Sequence, residues 1–107
     1  MTILDTNTAT KTKTKTKAKV HTQPPVDYKV IYLNDEVTSI AFVVDSLVTV
    51  FDHSDENADQ LATKIHEEGR AVVAVLPYEI AEQKGIEVTV LARNNQYPLQ
   101  VTLEPAI

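Results

Sequence analysis

A chain of 107 residues with 43% hydrophobic and 23% charged positions has the composition of one small globular domain, with no room for a second. No run approaches the ~18–20 consecutive apolar residues that a membrane span needs, no apolar stretch near the start reads as a secretory signal, and the lack of cysteine excludes disulfides, thiolate zinc sites and cysteine nucleophiles. The net charge of −5 is uneven: five lysines against Asp5 give the first 23 residues +4, which leaves −9 on the rest, a body that repels phosphates and suits cationic ligands.

In chain order, Met1–Gln23 is threonine, lysine and alanine, with the low-complexity run Lys11-Thr12-Lys13-Thr14-Lys15-Thr16-Lys17. Neither face of that run is apolar, so it cannot bury enough surface to offset the entropy of ordering, and residues 1–23 read as a flexible basic tail. A basic arm for nucleic acid and a short targeting peptide are the sharper readings of the same lysines. Pro24-Pro25 marks the boundary to a core domain over residues 24–107, because proline fixes φ and stiffens the entry to the first strand. Asp27–Leu33 then alternates as that strand, with Tyr28, Val30 and Tyr32 on one face and Lys29, Ile31 and Leu33 on the other.

Thr38 is placed to cap a helix from Ser39 to about Phe51, with Ile40, Val43, Val44, Leu47 and Phe51 as its apolar stripe. Ser54 is placed to cap a second helix, with Asp55 and Glu56 in its first turn, Ala58, Leu61, Ala62 and Ile65 at helical spacing, and Gly69 as the stop. Ala71–Leu76 is a continuous apolar run that fits a buried strand. Tyr78–Asn94 fits a helix through Ile80, Ala81, Gly85, Val88, Leu91 and Ala92, while Ile86, Val88 and Val90 alternate like a strand and Gly85 weakens a helix. Pro98–Leu103 alternates as a last strand. Pattern alone slightly favours helix for Tyr78–Asn94, which gives the order β-α-α-β-α-β, helices on one side of a small sheet.

Two polar clusters stand out. Asn34-Asp35-Glu36-Val37-Thr38 follows a strand and precedes a helix, where asparagine and aspartate commonly serve as turn formers. His66, in Ile65-His66-Glu67-Glu68-Gly69-Arg70-Ala71, sits where a helix dipole favours a basic residue. Together with Tyr97-Pro98-Leu99-Gln100-Val101-Thr102-Leu103-Glu104, in this order and spacing, these segments resemble the ClpS adaptor family over Pro24–Glu104, about three quarters of the chain.

That resemblance decides Tyr78–Asn94 as helix and so implies an α+β two-layer domain, a three-stranded antiparallel sheet with helices packed on one face. It implies a protein that binds the exposed first residue of a polypeptide, an N-degron, and hands it to the N-terminal domain of a ClpA or ClpC unfoldase. The matching amine-binding positions are Asn34, Glu36 and His66, with Asp35 between the first two. The chemistry suits them: an ammonium has three donors and no acceptor, so it wants an amide oxygen, a carboxylate and an unprotonated imidazole nitrogen. Protonating His66 would remove an acceptor and set a cation beside the ammonium, so binding is expected to weaken in acid. The matching side-chain pocket is Leu33, Thr38, Ile40, Val43, Ala62, Ile65 and Leu99, residues that would equally serve as core. The matching unfoldase-docking face is Glu79, Glu82 and Lys84, which would otherwise read as a solvated helix face with local ion pairs. The resemblance also implies no cofactor and no metal, neither nucleic acid nor membrane as partner, a monomer, and a cytoplasmic location with the plastid stroma as the alternative.

Three positions depart from the family pattern. Aspartate is usual at Glu36, and one methylene moves a carboxylate by about 1.5 Å, enough to disturb a hydrogen bond. Methionine is frequent at Ile40, which is stiff at χ1, and at Ala62, where volume is lost from one wall. These changes point to a reshaped pocket, and they keep open a second reading in which the fold occupies the unfoldase while amine recognition has drifted.

The rival classes fit less. Asp35, Glu36 and His66 would serve as acid–base groups or metal ligands, but no nucleophile motif or glycine-rich phosphate loop accompanies them, and the chain has only two glycines. A nucleic-acid module finds support only in the Lys-Thr run. The expectation is therefore a non-enzymatic adaptor.

Overall fold

The computed structural model describes residues 26–107; the basic tail and the Pro24-Pro25 boundary lie outside the described residues. The elements are β1 (Asp27–Leu33), α1 (Ile40–Thr49), α2 (Asp55–Glu68), β2 (Arg70–Pro77), α3 (Tyr78–Asn94) and β3 (Gln100–Pro105). They form one antiparallel sheet in the order β2-β1-β3. This is the expected two-layer arrangement. No helix among the described residues is long and apolar enough to cross a membrane.

β1 is bonded on both edges and carries Val30, Ile31 and Tyr32, all fully buried. Val30 and Tyr32 join Val43, Leu47, Ala62, Ile65, Val88 and Leu99 in the core under the helices. Ile31 points the other way. Arg70 lies opposite Leu33 on β2 and Glu104 opposite Lys29 on β3, so all four share the helix-free face with Ile31. The Arg70–Glu104 ion pair at 3.0 Å therefore crosses the central strand and roofs Ile31.

The run Ala71–Leu76 is not the uniformly buried strand that its composition suggests. Val72 and Val75 are 40% and 50% exposed on the helix-free face. The register slips between Val30 and Ile31, which pair with Ala74 and Val72, so Val73 is the extra residue of a β-bulge. The bulge turns both Val73 and Ala74 toward the core side. On this edge strand the Val73 carbonyl bonds the His53 ring, with an Nε2···O distance of 2.7 Å. A carbonyl only accepts, so Nε2 carries the proton.

α1 is capped by Ser39, whose Oγ accepts from the Phe42 N–H at 3.1 Å, and not by Thr38 as the sequence suggests, because the Thr38 hydroxyl is committed elsewhere. On its inner face Ser46 is buried. Its hydroxyl donates to the Val43 carbonyl at 2.9 Å and therefore accepts from the Tyr32 hydroxyl at 2.8 Å. Burial pushes the Tyr32 phenol well above its ordinary range, and the bond to Ser46 offsets only part of that.

α2 runs as read, from the Ser54 cap to Gly69 at φ 90°. α3 is one helix through Gly85, which sits against β3 where a Cβ would lie 3.6 Å from Val101 Cγ1. It ends in a Schellman motif: the Tyr97 N–H returns to the Ala92 carbonyl at 2.8 Å and the Gln96 N–H to Arg93 at 3.0 Å, with Gln96 at φ 63°. Ile80 and Leu91, read as part of its apolar stripe, are solvent-facing. The last strand starts two residues later than Pro98, because the Schellman turn and Pro98 occupy that stretch.

Candidate functional site

The site is built where β1 leaves the sheet. At its exit the Asn34 N–H donates to the Gly69 carbonyl at 2.9 Å, which ties the loop to the C-terminal end of α2. Asp35 then folds the loop on itself. Its Oδ1 accepts from the Val37 N–H at 2.8 Å and the Thr38 N–H at 2.6 Å, and its Oδ2 accepts from the Thr38 hydroxyl at 2.8 Å. Burial tends to raise the Asp35 carboxyl, but the bonds from Thr38 and Val37 and the positive Arg93 outweigh it and hold the group below its ordinary range. Ser39 starts α1 immediately afterwards. These contacts set the N-terminal end of α1 beside the C-terminal end of α2.

Asn34, Glu36 and His66 are exposed around that junction, His66 in the last turn of α2. Asp35 differs from its neighbours. The resemblance groups it with the amine ligands, yet both its oxygens are engaged inside the turn, where it sets the direction of the residues on either side. Among the described residues no three His, Cys, Asp or Glu side chains gather as a metal site.

The expected pocket residues divide into buried and more exposed members. Val43, Ala62, Ile65 and Leu99 are buried members of the core cluster. Leu33 is half-buried but lies on the helix-free face with Ile31, apart from that cluster; Thr38 is half-buried, and Ile40 is 57% exposed at the first position of α1. Ala62 is only 3% exposed.

The Tyr97–Leu99 stretch is held from the α3 side by a residue the sequence did not single out. One Arg93 nitrogen, Nη1, donates to the Tyr97 carbonyl at 2.8 Å and to the Leu99 carbonyl at 2.9 Å. Tyr97 packs against Phe42 of α1, ring centroids 5.2 Å apart. A basic residue in the last turn of α3 was the available signal, but its targets lie in an irregular loop that no periodicity marks. The spacing of Asp35 and Thr38, three apart at a strand exit, was a stronger signal of the turn.

On α3, Glu79 is exposed in the first turn and Glu82 accepts from the Tyr78 hydroxyl at 3.1 Å. Lys84 reaches across to donate to the Val50 carbonyl at 2.8 Å, at the C-cap of α1, in place of a local ion pair. The cation meets the negative end of that helix.

The comparisons with known proteins agree on one family. The family model described as "ATP-dependent Clp protease adaptor protein ClpS" matches residues 23–102. A ClpS adapter protein from Sodalis glossinidius is 43% identical over 84 residues, 78% of this chain and 79% of the relative. One from Treponema denticola is 42% identical over 80 residues, 75% and 79% respectively. Among solved structures, Agrobacterium tumefaciens ClpS2, described as bound to L-phenylalaninamide, superposes with a TM-score of 0.75 at 39% identity, covering 77% of this chain and 99% of that one. Sequence and fold agree over most of the chain, and it belongs to the ClpS family of adaptors of the ATP-dependent Clp protease.

Proposed function

We propose that this adaptor holds polypeptides by a free N-terminal residue with a bulky hydrophobic side chain and delivers them to a Clp unfoldase. The observation that carries the reading is the Asn34–Gly69 bond, which joins the loop bearing Asn34 and Glu36 to the helix end bearing His66. L-phenylalaninamide, the molecule named with the 39% identical Agrobacterium protein, is an α-amine, a benzyl group and an amide. That is the chemistry of a first residue and nothing more.

In this reading the Asn34 side-chain oxygen, the Glu36 carboxylate and a neutral His66 nitrogen take the three N–H bonds of the ammonium. Asp35 aims the other two. The side chain of the first residue passes the exposed Ile40 and rests on Val43, Ala62, Ile65 and Leu99. Charge-assisted bonds are worth roughly 1.5–3 kcal/mol each, and burial of a large apolar side chain adds roughly 1.5–3 kcal/mol. Set against the cost of immobilising a peptide, this corresponds to micromolar affinity or better, about 8 kcal/mol. Acetylation removes the charge and donors together and leaves acceptors unmatched. The face carrying Glu79, Glu82 and Lys84 is the unfoldase contact, remote from the amine site in sequence and carried on a different helix.

The test is fluorescence anisotropy of labelled peptides beginning with Leu, Phe, Tyr or Trp, beside their N-acetylated forms and an Ala-first control. Binding of free-amine bulky starts that acetylation abolishes is the expected result. No binding to any start would reject the reading and leave a ClpS fold with drifted recognition, the outcome to which Glu36 would then be the first suspect.

A further inference from the structure

We propose that the groove between α1 and α2 reads the residues that come after the first one, and that it takes lysine or arginine there; this rests on the first-residue site proposed above. The groove, about 480 Å³, is lined along α1 by Ile40, Val44 and Val48 and edged by Asp45 of α1 and by Asp55 and Asp59 of α2. Ile40, Val44 and Val48 are four residues apart, so they form one row on one face of the helix. Ile40 is also the rim of the first-residue pocket. The groove therefore begins where the held residue ends and leads away from it.

Its chemistry specifies the occupant. An apolar floor beside carboxylates complements a side chain with an aliphatic stem and a cationic head, which lies along the valines and places its charge among the aspartates. A purely apolar segment would leave the carboxylates desolvated, and a small cation would leave the valines uncovered. Among the described residues the ion pair is Arg70–Glu104, on the far side of the sheet, so none of the three aspartates is paired there with Lys or Arg. Ile40 to Val48 spans about 12 Å at 1.5 Å per helical residue. An extended peptide covers that in about four residues at ~3.3 Å each. The basic residue is thus read at the third to fifth position of the substrate.

The experiment uses the full chain and Phe-first peptides with Lys, Ser or Glu at positions three to five, at low salt and near 1 M salt, where the screening length falls to about 3 Å. The Lys peptides are expected to bind about three- to tenfold tighter than the Ser peptides at low salt, the scale of a few exposed ion pairs. The Glu peptides should bind weaker than the Ser peptides, and all three should converge at high salt. The Lys-to-Ser ratio should fall to about one in the triple variant Asp45→Asn, Asp55→Asn, Asp59→Asn, and partway in Asp45→Asn and Asp59→Asn singly, which leave the α2 first turn intact. Equal affinity for Lys and Ser peptides, with Phe-first binding intact, would overturn the groove alone. A triple variant that binds every peptide more tightly would mean that the chain's own Lys11–Lys19 run occupies the groove, and would also overturn it. Failure of every Phe-first peptide would overturn the first-residue site and the groove with it.

Discussion

Asp35 illustrates how a single side chain can build a loop from within, both its oxygens engaged by its own neighbours. Its three hydrogen bonds to Val37 and Thr38 hold the loop that presents Asn34 and Glu36. Asp35→Ala should therefore destabilise the fold by about 1–3 kcal/mol, the cost of leaving those donors without their partner, and weaken Phe-first peptide binding as well; urea unfolding and anisotropy measure the two. Its folded-state carboxyl is depressed, so its contribution is fully present above the ordinary value of 3.8 and is lost as pH falls through the lower folded one. The acid limb of a stability-versus-pH curve should flatten in the variant. The Tyr32–Ser46–Val43 relay is a second residue-scale case. Ser46→Ala strands the buried Tyr32 hydroxyl and is expected to cost about 1–3 kcal/mol, whereas Tyr32→Phe removes only a donor and costs about 1. The double variant should cost less than the sum of the two, because the polar group stranded by one change is absent in the other.

Among the elements, α3 carries two positions at which the backbone is under-served by its residue. Gln96 occupies the left-handed site of the Schellman turn at φ 63°, a conformation that suits glycine. Gln96→Gly should stabilise the domain by up to about 1 kcal/mol in denaturant unfolding. Gly85 is the reverse: its φ is ordinary and a Cβ would meet Val101 at 3.6 Å, a normal contact, so Gly85→Ala should gain about 0.5–1 kcal/mol from helix propensity. The same helix shows why some of the fold was legible and some was not. Ser54, the helical spacing of Ala58 to Ile65, and Gly69 state α2 outright, since caps and periodicity are local properties. Tyr78–Asn94 admitted helix or strand, because Gly85 and the β-branched Ile86, Val88 and Val90 lower helix preference; the family resemblance decided for helix, and in the fold that helix packs on all three strands. The bulge at Val73 has no local signature, being a mismatch between two strands, so the exposure of Val72 and Val75 and the role of His53 were invisible. In the candidate site, Asn34, Glu36 and His66 were read through resemblance to a family and Asp35 through turn chemistry; Thr38 was read as a helix cap, a role that Ser39 takes, and Arg93 was not read at all.

For the molecule as a whole, the proposed function divides the labour along the charge asymmetry: a body of −9 to hold the substrate, and a lysine-bearing first segment of +4 to engage the unfoldase. Deleting residues 1–23 should leave Phe-first peptide binding within about twofold, well under the 1.4 kcal/mol that a tenfold change represents, and slow degradation of a Phe-first reporter by the cognate Clp protease. Loss of peptide binding on deletion would contradict the division.

The central position of β1 has one more consequence, and it concerns time. Leu33 pairs with Arg70 on one side and Gln100 on the other, partners 37 and 67 positions away. No hairpin in this sheet is local. The helices can form within about a microsecond, but the sheet closes only by finding contacts of long sequence separation, which moves folding toward milliseconds or longer. Val43, Ala62, Ile65 and Leu99 come from α1, α2 and the approach to β3, so the floor beneath the proposed pocket is complete only after that slow closure. A newly made or partly unfolded copy therefore exposes those apolar side chains in the interval before it can hold a substrate.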